Sequence, residues 1–348
     1  PLLVVGMLFF VWAPPRGRLS PRWRAALAAC TLLLVARYAW WRTTIMTGAD
    51  PSGAERLWQW VFYAAEMALL VDGAIFVLLI ARTRDRRQEA DRHQQWVDGM
   101  IASGQEGALP TVDVFIPTYN EEWDVLSATV TGALALDYPH VTVHVLDDGG
   151  RDWLAERCAE LGVQYHRRPD RSHAKAGNIN YTFARTGGEL VLVFDADFVA
   201  QRNFLRRTVG FFRAPDVAVV QVPHHFFNTD PTQNNLRIFG EHADDQAFFF
   251  TDIMAARDAW GVAFSCGSNS LIRRTALATL GGIPTASITE DILTSLALLQ
   301  RGWQTVYLNE RLARGLAPEG LSALYTQRAR WARGGIQLLF LREGPLRA

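Results

Sequence analysis

Residues 57–80 are almost wholly apolar or aromatic. A run of that kind leaves few options. As a helix rising 1.5 Å per residue it covers roughly 30 Å of hydrocarbon, and a single segment satisfies all its own backbone N–H and C=O groups there only as a helix. A second candidate span covers residues 25–41, opened by Arg22 and Arg24 and closed by Tyr38, Trp40 and Trp41, aromatic residues suited to a membrane interface. Residues 1–12 read as the end of an earlier, truncated span. A secretory signal peptide would carry a basic n-region, missing here, and would not be followed by two further spans. Residues 1–82 are therefore expected to form about three transmembrane helices. The chain opens inside an apolar run and stops just past a motif, so it reads as a piece of a longer protein.

Charge orients those spans. Arg16, Arg18, Arg22 and Arg24 lie between the first two, and Arg82, Arg84, Arg86 and Arg87 follow the third, which puts both sides in the cytoplasm together with everything after residue 82. Residues 43–55 are nearly free of lysine and arginine and face outward. Glu66 and Asp72 in the third span and Arg37 in the second are costly in lipid unless paired, and an ion pair that orients the helices is preferred to a role in lining a polar channel. Lys plus Arg and Asp plus Glu number 35 each, so nothing points to a basic face for nucleic acid. Cys30, Cys158 and Cys266 are too scattered for a zinc site or a disulfide framework and are expected to be reduced.

Residues 83–110, rich in charge and then in Gly and Ala, read as a surface helix and linker. Beyond them, β-rich runs at 112–116, 141–146, 163–166, 190–194 and 217–222 alternate with helical stretches, the pattern of an α/β domain with a mainly parallel sheet. Ligands of such sheets bind at the carboxyl ends of the strands. Thr118, Tyr119 and Glu121 follow the first run, Asp147 and Asp148 the second, and Asp195 and Asp197 the fourth. No Gly-x-Gly-x-x-Gly and no Walker lysine loop is present, which disfavours a dinucleotide enzyme and a P-loop NTPase.

Each constellation has a plain reading beside its chemical one. Asp195 and Asp197 at a strand end can offer two hard oxygens to Mg²⁺ or Mn²⁺ alongside a nucleotide diphosphate, or simply form a turn. Asp147-Asp148-Gly149-Gly150 can be an Asp-Gly turn, although turn chemistry needs only one aspartate. His173-Ala174-Lys175-Ala176-Gly177-Asn178 supplies a cation before a helix. Thr289-Glu290-Asp291 precedes a helix and could be an ordinary cap. Gln327-Arg328-Ala329-Arg330-Trp331 sets guanidiniums and an indole on one helix, for phosphate and sugar or for an interface.

Taken in order, Asp147-Asp148-Gly149, Asp195-Ala196-Asp197, Thr289-Glu290-Asp291 and Gln327-x-x-Arg330-Trp331 resemble the signature of processive family 2 glycosyltransferases. The nearest resemblance is to the catalytic subunits of bacterial cellulose synthases, and it extends from the membrane spans to the last motif. It implies a GT-A domain (Rossmann-like, mainly parallel) over residues 111–318 and interfacial helices over 319–348. It also implies a multi-pass protein of the bacterial inner membrane, a UDP-glucose donor and a growing polysaccharide exported through the protein's own channel. Residues matching Thr118, Tyr119, Glu121, Asp147, Asp148 and Lys175 would hold the nucleotide. Those matching Asp195 and Asp197 would bind the diphosphate and its Mg²⁺ or Mn²⁺. Asp291 would be the general base beside Glu290, Gln327 and Arg330 would serve the substrate and its diphosphate, Trp331 would be the acceptor platform, and Cys266, Gly267 and Ser268 would form a loop beside the growing chain. Two departures stand out. Phe198 follows the second aspartate where cellulose synthases place a histidine, and Ser265 stands where an aromatic is favoured.

The reaction so implied is inverting transfer, with Asp291 taking a proton from the acceptor hydroxyl as it attacks the anomeric carbon. A β-1,3- or mixed-linkage glucan synthase and a hyaluronan- or chitin-type synthase share the motifs. A non-catalytic sugar-binding scaffold is disfavoured because all four acidic motifs are intact. An accessory periplasmic subunit is a further partner the resemblance allows.

Overall fold

The computed structural model describes residues 20–48, 53–237, 246–344 and 346. The expected first span, with Arg16 and Arg18, lies outside them. The chain divides into two compact units, residues 1–84 and 85–348.

The first unit is a helix pair, α1 (Pro21–Gly48) and α2 (Gly53–Ile80). Among the described residues α2 is the one helix long and apolar enough to cross a membrane. The span expected at 25–41 lies inside α1, which is long enough but falls short in apolarity, its run being broken by Arg24, Arg37 and Arg42. No residue of α2 is buried, and Leu57 and Leu69 are exposed by 70% and 73%. Polar contacts join the helices. Glu66 accepts from Arg42 Nε at 2.7 Å and from the Tyr38 hydroxyl, and Thr43 Oγ1 meets the Tyr63 hydroxyl at 2.7 Å. The expected helix-orienting ion pair is thus present at Glu66, with Arg42 rather than Arg37 as its cation.

The second unit opens with α3 (Arg87–Ala102). This segment, expected as linker and surface helix, is fastened to the domain. Ala90 and Val97 are fully buried, and Arg207, from later in the chain, bonds Asp91 at 2.6 Å and also holds Glu310. Arg86 is buried against Asp258 at 2.7 Å, so it is a packing residue rather than a charge facing lipid headgroups.

The elements that follow are β1 (Val112–Thr118), α4 (Trp123–Leu134), β2 (Val141–Asp147), α5 (Asp152–Glu160), β3 (Gln164–His166), α6 (Ala174–Phe183), β4 (Leu190–Val193), β5 (Val199–Ala200), α7 (Phe204–Thr208) and β6 (Val217–Gln221). The remainder comprises α8 (Pro231–Leu236), α9 (Met254–Ala259), β7 (Ser270–Arg273), α10 (Arg274–Ala278), α11 (Glu290–Gln300), β8 (Gln304–Tyr307), β9 (Ala313–Arg314) and α12 (Leu321–Phe340). Seven strands form one sheet in the order β3-β2-β1-β4-β7-β6-β8. All neighbours pair in parallel except β7, which runs antiparallel to both β4 and β6.

The sheet is buried on both faces, and this explains the unbroken apolar runs. Along β1, Val114 and Ile116 enter one core with Leu126 and Val130 of α4, while Phe115 enters the other with Ile179 of α6. Along β4, Leu190 and Leu192 alternate with Val191 and Val193 in the same way. All five expected strands form. The strand order then brings the carboxyl ends of β1, β2 and β4 side by side.

Candidate active site

The turn after β2 separates its two aspartates. Asp147, the last residue of the strand, is buried and fully engaged. It accepts from Gly149 N at 2.8 Å, Arg151 N at 2.7 Å, the Arg151 guanidinium at 3.0 Å and the Tyr165 hydroxyl at 2.9 Å. Burial works against its charge, but the Arg151 backbone N–H and guanidinium and the Tyr165 hydroxyl outweigh it and hold the carboxyl below its ordinary value. Asp147, expected among the substrate contacts, is spent on the turn, with Gly150 left-handed at φ 69°. Arg151 also donates to Thr118 Oγ1 at 2.7 Å and to the Glu121 carbonyl at 2.8 Å. Glu121 in turn accepts from Thr118 Oγ1 at 2.6 Å and from Tyr119 N at 2.8 Å. Thr118, Tyr119 and Glu121 are therefore one hydrogen-bonded cluster, and the exposed Tyr119 ring stands at its outer side. Asp148 turns away from Asp147 and pairs with Arg168.

Next to this cluster α6 begins. Asn178 Nδ2 donates to the Leu146 carbonyl at 2.8 Å and so docks α6 on β2. Lys175, on the first turn, reaches Asp195 Oδ1 just past β4 and donates to the Gly267 carbonyl at 2.6 Å. Burial opposes its charge, yet the carboxylates of Asp195, Glu290 and Asp291 keep the ammonium above its ordinary value. Ser268 Oγ accepts from Asp195 N at 2.8 Å, and Gln221 fixes the same loop by donating to the Ser268 carbonyl and accepting from Cys266 N, both at 2.8 Å.

Asp291 sits at the second position of α11. Its Oδ1 accepts from Ile292 N at 2.8 Å, and its Oδ2 is so near the α-carbon of Gly267 that a methyl group there would lie 3.0 Å away. The Thr289 side chain does not cap α11, its hydroxyl meeting that of Ser287 at 3.0 Å; of the carboxylates expected to cap the helix, Asp291 spends Oδ1 on the Ile292 N–H and keeps Oδ2 toward Gly267. Burial first, then the Glu290 carboxylate, push Asp291 up to about 6, against the Ile292 N–H and Lys175. Asp197 is likewise pushed up to about 6, by burial and then by Asp195. Burial raises the Cys266 thiol well above its ordinary value, so it is neutral.

One cavity gathers Lys175, Gly267, Glu290, Asp291 and Thr294. Asp195 joins through Lys175. Gln327, Arg330 and Trp331 are not among its lining residues; they lie on α12, where Arg330 is exposed, the Trp331 ring carries the Arg328 guanidinium at 4.7 Å, and Gln327 Oε1 is buried with no hydrogen bond from a described residue. Phe198 is buried among His224, 4.9 Å away between ring centres, and Phe226, against the backbone of Gly315. It therefore fills core rather than facing the carboxylates. Ser268 stands in the loop expected beside the growing chain, but its bond to Asp195 N is not foreseen from the sequence; Arg168 and Gln221 carry no local sequence signal, because Asp148 and Cys266, which they bind, lie 20 or more residues away, and Arg151 reads in the sequence only as a residue after the Asp-Asp-Gly-Gly turn.

Residues 110–334 match the family described as Glycosyltransferase like family 2. The UDP-forming cellulose synthase catalytic subunit of Xanthomonas axonopodis pv. citri is 37% identical over 351 residues, 99% of this chain and 46% of that protein. Cellulose synthase 1 of Komagataeibacter xylinus is 44% identical over 240 residues, 68% of this chain and 15% of that protein. The chain thus spans less than half the length of these relatives. A mannosyltransferase of Pyrobaculum calidifontis, solved with GDP-Man and Mn²⁺, superposes with a TM-score of 0.54 at 21% identity, covering 70% of this chain and 68% of that one. A likeness at that identity speaks for a shared GT-A-like fold. With more than half of its length inside the family match, and the acidic motifs at the strand ends of a mainly parallel sheet, the chain belongs to glycosyltransferase-like family 2.

Proposed function

We propose that this chain is the catalytic part of a processive, inverting glycosyltransferase that extends a β-glucan, cellulose, from UDP-glucose and exports it across the bacterial inner membrane. The single observation that carries the reading is the meeting of Asp291 with Lys175 and Gly267 in one cavity beside Asp195. A half-buried carboxyl raised to about 6 is poised to accept a proton near neutral pH, and general-base help of this kind is typically worth about 10²- to 10⁴-fold.

In this reading the uridine lies against Thr118, Tyr119, Glu121 and Asp148, and Lys175 meets the diphosphate. Asp291 takes the proton of the acceptor hydroxyl as that oxygen attacks the anomeric carbon, and Glu290 keeps Asp291 basic. Cys266 and Gly267 face the acceptor chain, Trp331 stacks on its terminal sugar, and Gln327 and Arg330 serve the substrate and its diphosphate.

Asp195 and Asp197 fit a divalent cation, Mg²⁺ or Mn²⁺. Burial of Asp197 and the neighbouring Asp195 carboxylate both oppose its ionisation, and added positive charge relieves that resistance. No group of three His, Cys, Asp or Glu among the described residues could hold the ion alone, so the diphosphate and water would complete its shell. Bound there, it would neutralise charge on the departing UDP. An apolar α2 without a single buried residue supports placement in a bilayer, and the arginines on either side of α1 and α2 support a cytoplasmic catalytic unit and a multi-pass protein.

The test is to incubate the full-length protein in membrane vesicles with separately labelled UDP-sugars and to analyse the linkage of any polymer. Incorporation from UDP-glucose into a β-1,4-linked chain is expected. Another donor or linkage would reassign the product, and no polymer from any donor would overturn the reading.

A further inference from the structure

We infer that Arg168 is the positioning residue that locks the donor-binding edge, coupling Asp148 to the loop that presents Lys175. The inference rests on the proposed nucleotide-binding role of that edge. Arg168 follows β3, and its side chain is 4% exposed against 9% for Asp148. Its guanidinium makes a two-pronged pair with Asp148, Nε to Oδ1 at 2.6 Å and Nη2 to Oδ2 at 2.7 Å. The same group donates to the Ser172 carbonyl at 2.6 Å and to the Ala174 carbonyl at 2.9 Å. One planar fork thus holds both the carboxylate and the turn that leads into α6.

That turn needs holding. His173 and Ala174 are consecutive non-glycine residues in the left-handed region, at φ 60° and 44°. Such residues persist where their surroundings over-determine them. The clamp is tight from the other side as well: a methyl group at Gly177 would lie 2.1 Å from the Ser172 carbonyl oxygen and 2.5 Å from Arg168 Nη1. Lys175 follows directly, so the direction of its ammonium toward Asp195 depends on the turn. A lysine at position 168 would keep the charge but lose the planar fork.

The experiment uses the full-length protein in membranes or detergent. UDP affinity in the presence of Mg²⁺, together with kcat and KM for UDP-glucose, is measured for the unmutated chain, Arg168→Lys, Asp148→Asn, their double variant and Gly177→Ala. Arg168→Lys should weaken UDP binding at least about tenfold, the loss of one charge-assisted hydrogen bond, and raise KM in step while kcat at saturation stays within about threefold. The double variant should bind no worse than the weaker single variant, because the two residues act as one unit. Gly177→Ala disturbs the same clamp from the helix side and should reproduce the KM effect even if Arg168→Lys proves too unstable to purify. UDP affinity within twofold of the unmutated chain in both Arg168→Lys and Gly177→Ala overturns the inference. So does a fall in kcat at unchanged KM, or additive losses in the double variant. If the unmutated chain itself fails to bind UDP, the nucleotide-binding reading falls and this role falls with it.

Discussion

A methyl group on Gly334 would lie 2.3 Å from Cγ2 and 2.6 Å from Oγ1 of Thr289, a buried residue. Helix α12 therefore rests on the start of α11 at a spacing that admits no side chain. The contact matters because Glu290 and Asp291 follow Thr289 directly, while Arg330 and Trp331 lie four and three residues before Gly334 and share its side of the helix. Gly334→Ala should shift one helix off the other, at a cost of about 1–3 kcal/mol for overpacking. Polymer yield should fall while UDP affinity stays within a few fold. Normal yield with an unchanged melting temperature would show that the spacing is not needed.

The acid limb of the activity profile should report Asp291. Burial and Glu290 raise its carboxyl to about 6, and a base works only when deprotonated. Activity should therefore be full well above pH 6 and fall about tenfold per unit below it. Asp197 is raised to the same range, but Glu290 is among the causes for Asp291 and not for Asp197. Glu290→Gln removes that neighbouring charge and should move the limb to lower pH. A limb that stays in place in kcat/KM profiles belongs to another group. Asp291→Asn should abolish synthesis with UDP affinity kept within a few fold.

If Asp195 and Asp197 hold a divalent cation against the diphosphate, as proposed, chelation should stop synthesis and readdition of Mg²⁺ should restore it. Asp197→Ala should lose the metal-dependent part of UDP binding, measured by titration with and without chelator. Full synthesis in excess chelator would remove the cation from the mechanism.

Trp331 is 37% exposed and stacked with Arg328, an arrangement that suits a sugar platform or a membrane anchor. As a platform it orients the acceptor, so Trp331→Ala and Trp331→Leu should both fail to elongate while binding UDP normally. As an anchor it would tolerate leucine. Polymer yield of the leucine variant decides.

Phe198→His restores the residue that cellulose synthases place after the second aspartate, yet here the ring is packed against Phe226 and Gly315. Burying an imidazole there without a new partner should cost about 1–3 kcal/mol. A lowered melting temperature with no gain in metal affinity is the expected result; tighter metal binding would show that the side chain can turn toward the carboxylates.

Much of this architecture was legible because it is local. A sheet buried on both faces demands short unbroken apolar runs, and those at 112–116, 141–146, 163–166, 190–194 and 217–222 all became strands. Ligands of such a sheet meet its strand ends, so Asp148, Asp195 and Asp197 could be named as candidates from the chain alone, and the fold does set them just past β2 and β4. What the sequence could not disclose depends on pairing between distant segments. The antiparallel β7 is a four-residue strand entered from the Gly267-Ser268-Asn269 turn, and its direction is set by its neighbours β4 and β6. The segment expected as a linker is part of the domain because Arg207 and Asp258, far along the chain, supply partners for α3 and Arg86. Asp147 and Asp148 look equivalent in sequence, but successive side chains at a strand end point opposite ways. The turn gives one of them to Arg151, and tertiary structure adds Tyr165 to that one and gives the other to Arg168.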